Sequence, residues 1–202
     1  MILDLLKKRY SCRGFADEKI PGDVIKYIVE CGRLAPSGGN EQPWKFGIIT
    51  DKGIIDELAK ASSILYDQSW IASAPLVIVL CTQIFNYDNE DTENMDMKRF
   101  PSFHERIRHT DKKIYALISM EGYMVNIPGE NMVIAAMERG VYSTWIGAVN
   151  CEMAAELLDI AGYYVTSMIA FGYPKAEREP TPKKNIEDIT FTNNFNKKGV
   201  IL

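Results

Sequence analysis

Apolar and polar positions follow two different periods along this chain, and each period predicts a different kind of element. An apolar residue every three to four positions is typical of a helix that buries one face, whereas alternation or a short unbroken apolar run is typical of a strand. Helical spacing appears in residues 1 to 9, 21 to 36, 54 to 59, 114 to 139 and 150 to 162. Strand patterns appear in residues 44 to 49, 76 to 81, 142 to 148 and 163 to 171.

Individual residues mark the ends of some of these elements. Gly140 is well placed as a C-terminal helix stop, because glycine readily adopts the left-handed conformation that such a stop requires. Pro128 is expected to interrupt the helical stretch from 114 to 139, since proline lacks the backbone N–H that a helix interior needs. Asn150 can cap the last helix through its side-chain oxygen, and we expect that helix to continue to Gly162.

The arrangement of these elements favours the α+β class. Residues 76 to 81 form an apolar run without alternation, which is typical of a central strand buried on both faces. Helices and strands do not alternate as regular βαβ units, so a doubly wound parallel sheet is disfavoured. A chain of 202 residues without internal repeats fits a single domain that covers residues 1 to 202.

Two segments differ from the rest of the chain. Residues 83 to 113 are rich in charged residues yet contain four aromatic ones, which fits either a flap over a site or a surface excursion with local packing. The tail from 174 to 202 contains several prolines and cannot form a compact element of its own. Because Ile186, Ile189 and Phe191 are too apolar to be left in water, we expect the tail to lie against another surface.

Composition and charge narrow the function classes. The chain is 47% apolar and 25% charged, as in an average globular protein, and its formal charge of −4 argues against a nucleic-acid partner held by bulk charge. No apolar run reaches 18 residues and the first four residues lack the features of a signal peptide, so no membrane association is expected. Four widely spaced cysteines without a CxxC pair favour a reduced, cytoplasmic setting.

Motifs for several common chemistries are absent from the sequence. His104 and His109 are five positions apart, which does not stack them on one helix face as metal-binding HExxH spacing does, so no metal site is predicted. The chain has no GxGxxG, no GxxxxGK[ST] and no GxSxG. A Rossmann, P-loop or serine-hydrolase interpretation therefore has no support from motifs, and the sequence shows no obvious catalytic constellation.

Four segments contain residues that can bind an anionic, planar ligand, although each one alone has an ordinary structural explanation. Arg9, Ser11 and Arg13 can grip a phosphate, because arginine supplies a planar fork and serine a short donor. The loop before Trp44 combines flexible glycines with amide side chains that both donate and accept. Small residues follow Trp145, where a flat ligand could meet main-chain N–H groups, and a basic pair, Lys183–Lys184, lies in the tail.

Taken in this order, the segments resemble the nitroreductase family of FMN-dependent oxidoreductases. The family pattern consists of Arg-x-Ser-x-Arg, Ala-Pro-Ser-x-x-Asn-x-Gln-Pro-Trp, Trp-Ile-Gly and a basic residue in the tail, and of these the second block is the most specific. The resemblance implies a central, mostly antiparallel sheet flanked by helices and a homodimer whose C-terminal extensions are exchanged. It also implies a bound FMN, NADH or NADPH as the reductant, and a small-molecule acceptor such as a nitroaromatic or a quinone.

The resemblance assigns roles to particular residues. It implies that the phosphate and ribityl chain of FMN are held by Arg9, Ser11 and Arg13 together with Lys183 or Lys184. It implies that the other subunit contributes Pro36, Ser37, Gly38 and Asn40 near the ring, and that Gly39 and Gln42 of the same loop also bind the cofactor. It implies that Ile146, Gly147 and Ala148 back the ring, and it places Asn131 on the central helix as either a flavin contact or a structural residue.

Departures from the family pattern leave some alternatives open. The basic tail residue is lysine where arginine is common, and residues 83 to 113 match no assignable motif, so the acceptor cannot be carried over. A flavin-dependent dehalogenase or ring dehydrogenase on the same scaffold is one alternative. An FMN-binding redox sensor or flavin store without turnover is another.

Overall fold

The computed structural model describes residues 1–63, 66–83 and 124–195, and these form helices packed on both faces of one sheet. Several predictions lie outside these residues: the flap at 83 to 113 except for Gln83, the helical stretch before Met124, and both histidines. The helices of the described part are α1 (Ile2–Lys8), α2 (Gly22–Arg33), α3 (Lys52–Ser62), α4 (Asn126–Glu138) and α5 (Cys151–Leu157). The strands are β1 (Trp44–Ile49), β2 (Leu76–Gln83), β3 (Tyr142–Ile146) and β4 (Tyr163–Gly172).

The sheet confirms the predicted α+β class. Its strand order is β1-β2-β4-β3, and every neighbouring pair is antiparallel. The central strand β2 is buried on both faces, as its unbroken apolar run predicts. At one point the register between β2 and β4 shifts, so that Leu80 faces Ser167 and Cys81 faces Val165.

Apolar side chains of the sheet form two cores, one on each face. The face that packs against α3 and α5 includes Val77, Val79, Met168 and Ala170, together with Tyr10 and Cys12 from the N-terminal segment. The face that packs against α2 and α4 includes Leu76, Ile78, Leu80, Ile169 and Phe171. Because both faces are covered, the positions that remain for ligands are the ends and edges of the sheet.

Two predicted helix stops behave differently in the structure. Gly140 has a φ of 73° and its N–H donates to the carbonyl of Met137, which confirms it as the stop of α4. The prediction that the following helix continues to Gly162 is wrong, because α5 ends at Leu157. Asp159 takes the left-handed conformation there with a φ of 51°, and its N–H donates to the carbonyl of Glu156.

The other end of each of these helices follows the local sequence. The side chain of Asn150 accepts hydrogen bonds from the N–H groups of Glu152 and Met153, both at 3.1 Å, so the predicted cap is confirmed. Pro128 lies in the first turn of α4, where a backbone N–H would have no partner within the helix. The proline therefore marks the start of α4, and from Asn126 onward the helix is unbroken.

The N-terminal segment that follows α1 lies along β3 at one edge of the sheet. The N–H of Cys12 donates to the carbonyl of Ser143 at 3.1 Å, and Thr144 donates through its hydroxyl to the carbonyl of Cys12. At the opposite edge, β1 pairs with β2 on one side. No helix among the described residues is long and apolar enough to cross a membrane.

Helix α4 packs closely on the sheet at Gly129. A Cβ atom added there would lie 2.4 Å from Cη2 of Trp145 and 2.9 Å from Cδ1 of Leu80. We expect Gly129→Ala to lower the free energy of unfolding by about 1–3 kcal/mol, because overpacking a core forces side chains out of their preferred rotamers. Urea denaturation at fixed protein concentration measures the change.

The matched control for this prediction is Gly22→Ala at the start of α2, where an added Cβ would meet no atom within 4 Å. This variant gains the same helix propensity without the overlap, so its unfolding midpoint should stay equal or rise slightly. Equal midpoints for the two variants would contradict the prediction.

Candidate functional site

The segment Arg9–Arg13 separates its side chains into a buried and a solvent-facing set. Tyr10 and Cys12 are 7% and 3% exposed and belong to the core, whereas Arg9 and Ser11 are half-buried and Arg13 is exposed. This alternation is that of an extended chain, in which every second side chain points to the same side. The three residues predicted to bind a phosphate therefore share the side of the segment that faces away from the core.

Neither arginine of this segment forms an ion pair with a carboxylate in the part of the chain that the structure describes. Among the described residues, the ion pairs join Arg33 to Glu30 and several lysines or the N-terminus to nearby acids, but none includes Arg9 or Arg13. The guanidinium carbon of Arg13 lies 5.9 Å from the ring centroid of Trp70. Two unpaired guanidinium groups beside a serine hydroxyl make a site suited to a phosphate dianion.

The end of β3 presents open space beside the backbone of Gly147. Ile146 is fully buried, Gly147 is exposed and Ala148 is half-buried. A Cβ atom added at Gly147 would meet no heavy atom within 4 Å, and the positive φ values among described glycines belong to Gly140 and Gly162. Since neither packing nor a left-handed backbone requires glycine at this position, the space fits close approach by a ligand.

Gln68 holds the backbone next to Gly147, and sequence reasoning missed it. Its Nε2 donates to the carbonyls of Ser62 and Ala148, at 2.5 and 2.7 Å, and its side chain is almost fully buried. These bonds fasten the loop after β3 to the C-terminal end of α3. Nothing in the local sequence distinguishes Gln68 from a surface glutamine in a turn, because its partner Ala148 is 80 residues away along the chain.

A short 3-10 turn, Ser69–Ser73, brings the arginine segment and the β3 end together. Trp70 in this turn contacts Arg13, and the adjacent Gln68 binds the carbonyl of Ala148. Arg13 and the backbone next to Gly147 therefore contact Trp70 and Gln68, which are only two positions apart in the chain.

The loop at 36 to 42 is shaped by its own side chains. The Oγ of Ser37 accepts from the N–H of Gln42 at 2.9 Å, and Nε2 of Gln42 donates to the carbonyl of Asn40 at 3.2 Å. Asn40 and Gln42 have φ values of 61° and 50°, so both take the left-handed conformation. Pro36, Asn40 and Gln42 are exposed, and Gly39 lies within the 3-10 turn Gly38–Asn40.

Sheet order separates this loop from the arginine segment within one chain. The loop leads into β1, whereas Gly147 follows β3, and these are the two edge strands. Three strand spacings of about 4.8 Å put these edges about 14 Å apart. The described chain therefore unites Arg9, Ser11, Arg13 and the β3 end, but it does not bring the loop to them.

The tail begins next to the arginine segment. Tyr10 donates through its hydroxyl to the carbonyl of Ala176 at 3.3 Å, and the N–H of Lys175 donates to the carbonyl of Gly14 at 3.0 Å. Lys183 and Lys184 follow a few residues later and are exposed. Seven residues of extended chain span at most about 25 Å, so Lys183 lies within about that distance of Ala176, where the tail is anchored beside the arginine segment.

Asn131 has a structural contact. Its Nδ2 donates to the carbonyl of Cys31 at 3.3 Å, which joins α4 to the last turn of α2. We expect Asn131→Ala to lower the free energy of unfolding by about 1 kcal/mol, the ordinary value of one hydrogen bond. Chemical denaturation gives this value, and FMN titration of the same variant should return the unsubstituted affinity. A large loss of FMN affinity with unchanged stability would assign Asn131 to the flavin.

Three of the described thiols are unsuited to nucleophilic catalysis. Burial raises the pKa of Cys12 and of Cys151, and it raises the pKa of Cys81 to about 11. These three thiols therefore stay protonated at neutral pH, and a thiol is a poor nucleophile compared with a thiolate. The described residues also contain no cluster of His, Cys, Asp and Glu able to hold a metal ion.

Comparison with known proteins identifies similar chains over most of this length. The family model described as Nitroreductase family matches residues 6–173. The oxygen-insensitive NADPH nitroreductase of Helicobacter pylori is 26% identical over 199 residues, which cover 91% of this chain and 92% of that protein.

Solved structures share the fold at lower sequence identity. A nitroreductase family protein from Streptococcus pneumoniae superposes with a TM-score of 0.76 at 21% identity, over 96% of this chain and all of that one. The NADPH:FMN oxidoreductase of Vibrio harveyi, solved with NAD+, superposes with a TM-score of 0.74 at 19% identity, over 98% of this chain and 79% of that one.

Proposed function

This chain belongs to the nitroreductase family, and from that premise we propose that it is an NAD(P)H-dependent oxidoreductase that carries FMN. The acceptor class that we propose is the nitroaromatics, quinones and similar electron-poor planar compounds. The observation that carries this proposal is a pair of arginines that form no ion pair among the described residues, one of which, Arg13, is joined by one turn to open space at Gly147. The name of the Helicobacter pylori relative supports NADPH as a reductant of the class.

The arginine segment is the proposed site of the FMN phosphate. Arg9 and Arg13 supply charge-assisted donors and Ser11 supplies a hydroxyl on the same side of an extended segment. The backbone of this segment is fixed against β3 by hydrogen bonds, so little order has to be gained when the phosphate binds. Lys183 or Lys184 adds a further cation from the tail.

The end of β3 is the proposed site of the isoalloxazine ring. Gly147 leaves room for a planar ring to approach the main chain, and Gln68 keeps the next carbonyl, that of Ala148, in place. Main-chain N–H groups in this region can donate to ring nitrogen and oxygen atoms. A preorganised donor of this kind stabilises negative charge without reorganisation.

The bound FMN would supply hydride chemistry at its ring, so the chain itself needs no acid, base or nucleophile. This division of labour agrees with the buried, protonated thiols and with the absence of catalytic motifs. The residues of the chain would bind the phosphate and orient the ring, and main-chain N–H groups at the end of β3 would stabilise negative charge on the reduced ring.

We extend the proposal to a homodimer that completes each site. The loop at 36 to 42 lies at the opposite sheet edge from Gly147, and a second copy can bring its own loop to that position. The tail supports this arrangement, because four of its large apolar side chains are exposed to solvent. Ile186, Ile189, Phe191 and Phe195 are 48%, 66%, 57% and 82% exposed.

The visible spectrum of the purified protein tests the proposed function. A bound flavin gives a yellow protein, and mixing with NADH or NADPH should bleach it, while a nitroaromatic or a quinone should restore the colour. A colourless protein that takes up no added FMN would end the proposal. A flavin that fills the site and is never reduced in stopped-flow mixing would favour a redox sensor or flavin store instead.

Removing the tail tests the homodimer. Deletion of residues 177–202 keeps the contact between Tyr10 and Ala176 but removes the exposed apolar residues. We expect the truncated chain to lose both the dimer and its flavin, because the second copy is proposed to supply part of each site. Light scattering after size-exclusion chromatography measures the mass, and absorbance measures the flavin. A truncated protein that remains a yellow monomer would refute the exchange.

A further inference from the structure

We propose that Trp70 is a positioning residue that holds the guanidinium of Arg13 ready for the phosphate of FMN. This inference rests on the proposed function and deepens it, since it names a residue outside the predicted binding segments that determines how well the phosphate is recognised. In this role Trp70 contacts Arg13 through its aromatic ring, and only the arginine binds the phosphate.

The contact itself has the geometry of a cation–π interaction. The guanidinium carbon of Arg13 lies 5.9 Å from the centroid of the Trp70 ring, within the distance of about 6 Å at which the ring quadrupole attracts a cation. The ring is half-buried and packs against the core that covers α3 and α5, so its position is fixed. Arg13 is exposed and forms no ion pair among the described residues, and this leaves its N–H groups for an anion.

The turn that carries Trp70 also holds the backbone beside Arg13. Ser73 donates through its Oγ to the carbonyl of Trp70 at 2.7 Å, and the same Oγ accepts from the N–H of Phe15 at 3.3 Å. The side chain of Arg13 and the backbone two residues later therefore rest on one structural unit. Because the turn is joined both to the side chain of Arg13 and to the backbone of Phe15, it restricts the position of the arginine more than either contact alone.

The energetic reason for such a support is the flexibility of arginine. Arginine has a long side chain, and fixing it costs up to about 2 kcal/mol of rotamer entropy. An aromatic ring that already restricts the guanidinium removes part of this cost from phosphate binding. A guanidinium has five N–H donors and its attraction to a ring needs none of them as a hydrogen bond, so Arg13 can rest on Trp70 and still donate to phosphate oxygens.

Two flavins distinguish this role from a general structural one. FMN carries the phosphate and riboflavin lacks it, so a residue that acts through Arg13 should affect the first and spare the second. We expect Trp70→Leu to raise the Kd of FMN roughly 2- to 5-fold, the range of an exposed cation–π contact, and to leave the Kd of riboflavin unchanged. Trp70→Phe keeps an aromatic face and should retain most of the FMN affinity.

A double-mutant cycle with Arg13→Gln identifies the partner. In that background Trp70→Leu should no longer change the Kd of FMN, because the cation that it supports is gone. The control is Tyr27→Leu, which removes the ring that contacts Arg139 at 4.2 Å, away from the proposed site. This variant should leave the ratio of the FMN and riboflavin affinities as it is in the unsubstituted protein.

The outcomes separate this inference from the proposed function. Failure of the unsubstituted protein to bind FMN would overturn both. Unsubstituted protein that binds FMN, with Trp70→Leu either without effect or weakening both flavins equally, would overturn the inference alone. Circular dichroism shows whether each variant is folded, and if Trp70→Leu is not, an equal loss of both flavins by folded Trp70→Phe overturns the inference.

Discussion

A chain in which Arg9 and Arg13 are both replaced by glutamine is expected to fold normally and to lose FMN. Hydrogen bonds to charged groups contribute about 1.5–3 kcal/mol each, so removing both should raise the Kd of FMN by about 100-fold or more. The fold should survive, because both side chains face away from the core and neither forms an ion pair among the described residues. Flavin fluorescence titration measures the Kd.

Two comparisons make this result specific to the phosphate. Riboflavin affinity should change little in the same variant, because riboflavin has no phosphate for the arginines to bind. The control is Arg33→Gln. Arg33 is an exposed residue of α2 that is paired with Glu30, and its substitution removes one positive charge away from the proposed site. If the double variant binds FMN as tightly as this control, the phosphate site lies elsewhere in the molecule.

Replacing Gly147 with leucine is expected to remove the flavin by a different route. The added side chain would occupy the open space beside the β3 end, and overlap with the ring should raise the Kd of both FMN and riboflavin by about 100-fold. Stability should be nearly unchanged, because a Cβ at this position meets no atom of the chain within 4 Å. Flavin titration and thermal unfolding together separate the two effects.

The control for the leucine substitution is Gly22→Leu, at a second position with no atom within 4 Å. This variant should bind both flavins normally, which excludes a general effect of a large apolar side chain at an open glycine. Loss of FMN alone from Gly147→Leu, with riboflavin retained, would contradict the proposed position of the ring.

Secondary structure was largely predictable because its signals are local. The unbroken run of β2 and the Asn150 cap each depend on side chains within a few positions. The end of α5 escaped prediction because Asp159 takes the left-handed conformation that glycine was expected to supply at Gly162. Aspartate adopts this conformation less often than glycine, so the sequence predicts the end of the helix at the glycine three positions later.

The sequence singles out the residues of the proposed phosphate site, but it does not reveal the architecture around them. Arg9, Ser11 and Arg13 stand out because their chemistry and spacing are visible in the sequence. Gln68 and Trp70 do not stand out, since their importance comes from contacts with residues that are distant along the chain. The separation of the two edge strands depends on strand order, which no local pattern encodes.

The anchoring of the tail beside the arginines has a thermodynamic consequence. Tyr10 donates to the carbonyl of Ala176. The arginine segment proposed to bind the phosphate therefore also fixes the start of the tail. If the proposed homodimer forms through this tail, coenzyme binding and subunit association depend on the same ordered backbone, and such equilibria are linked reciprocally. The factor by which the coenzyme raises the association constant of two copies is then the factor by which association raises the affinity for the coenzyme, so dilution below the dimer's dissociation constant should release FMN, which a rise in flavin fluorescence measures.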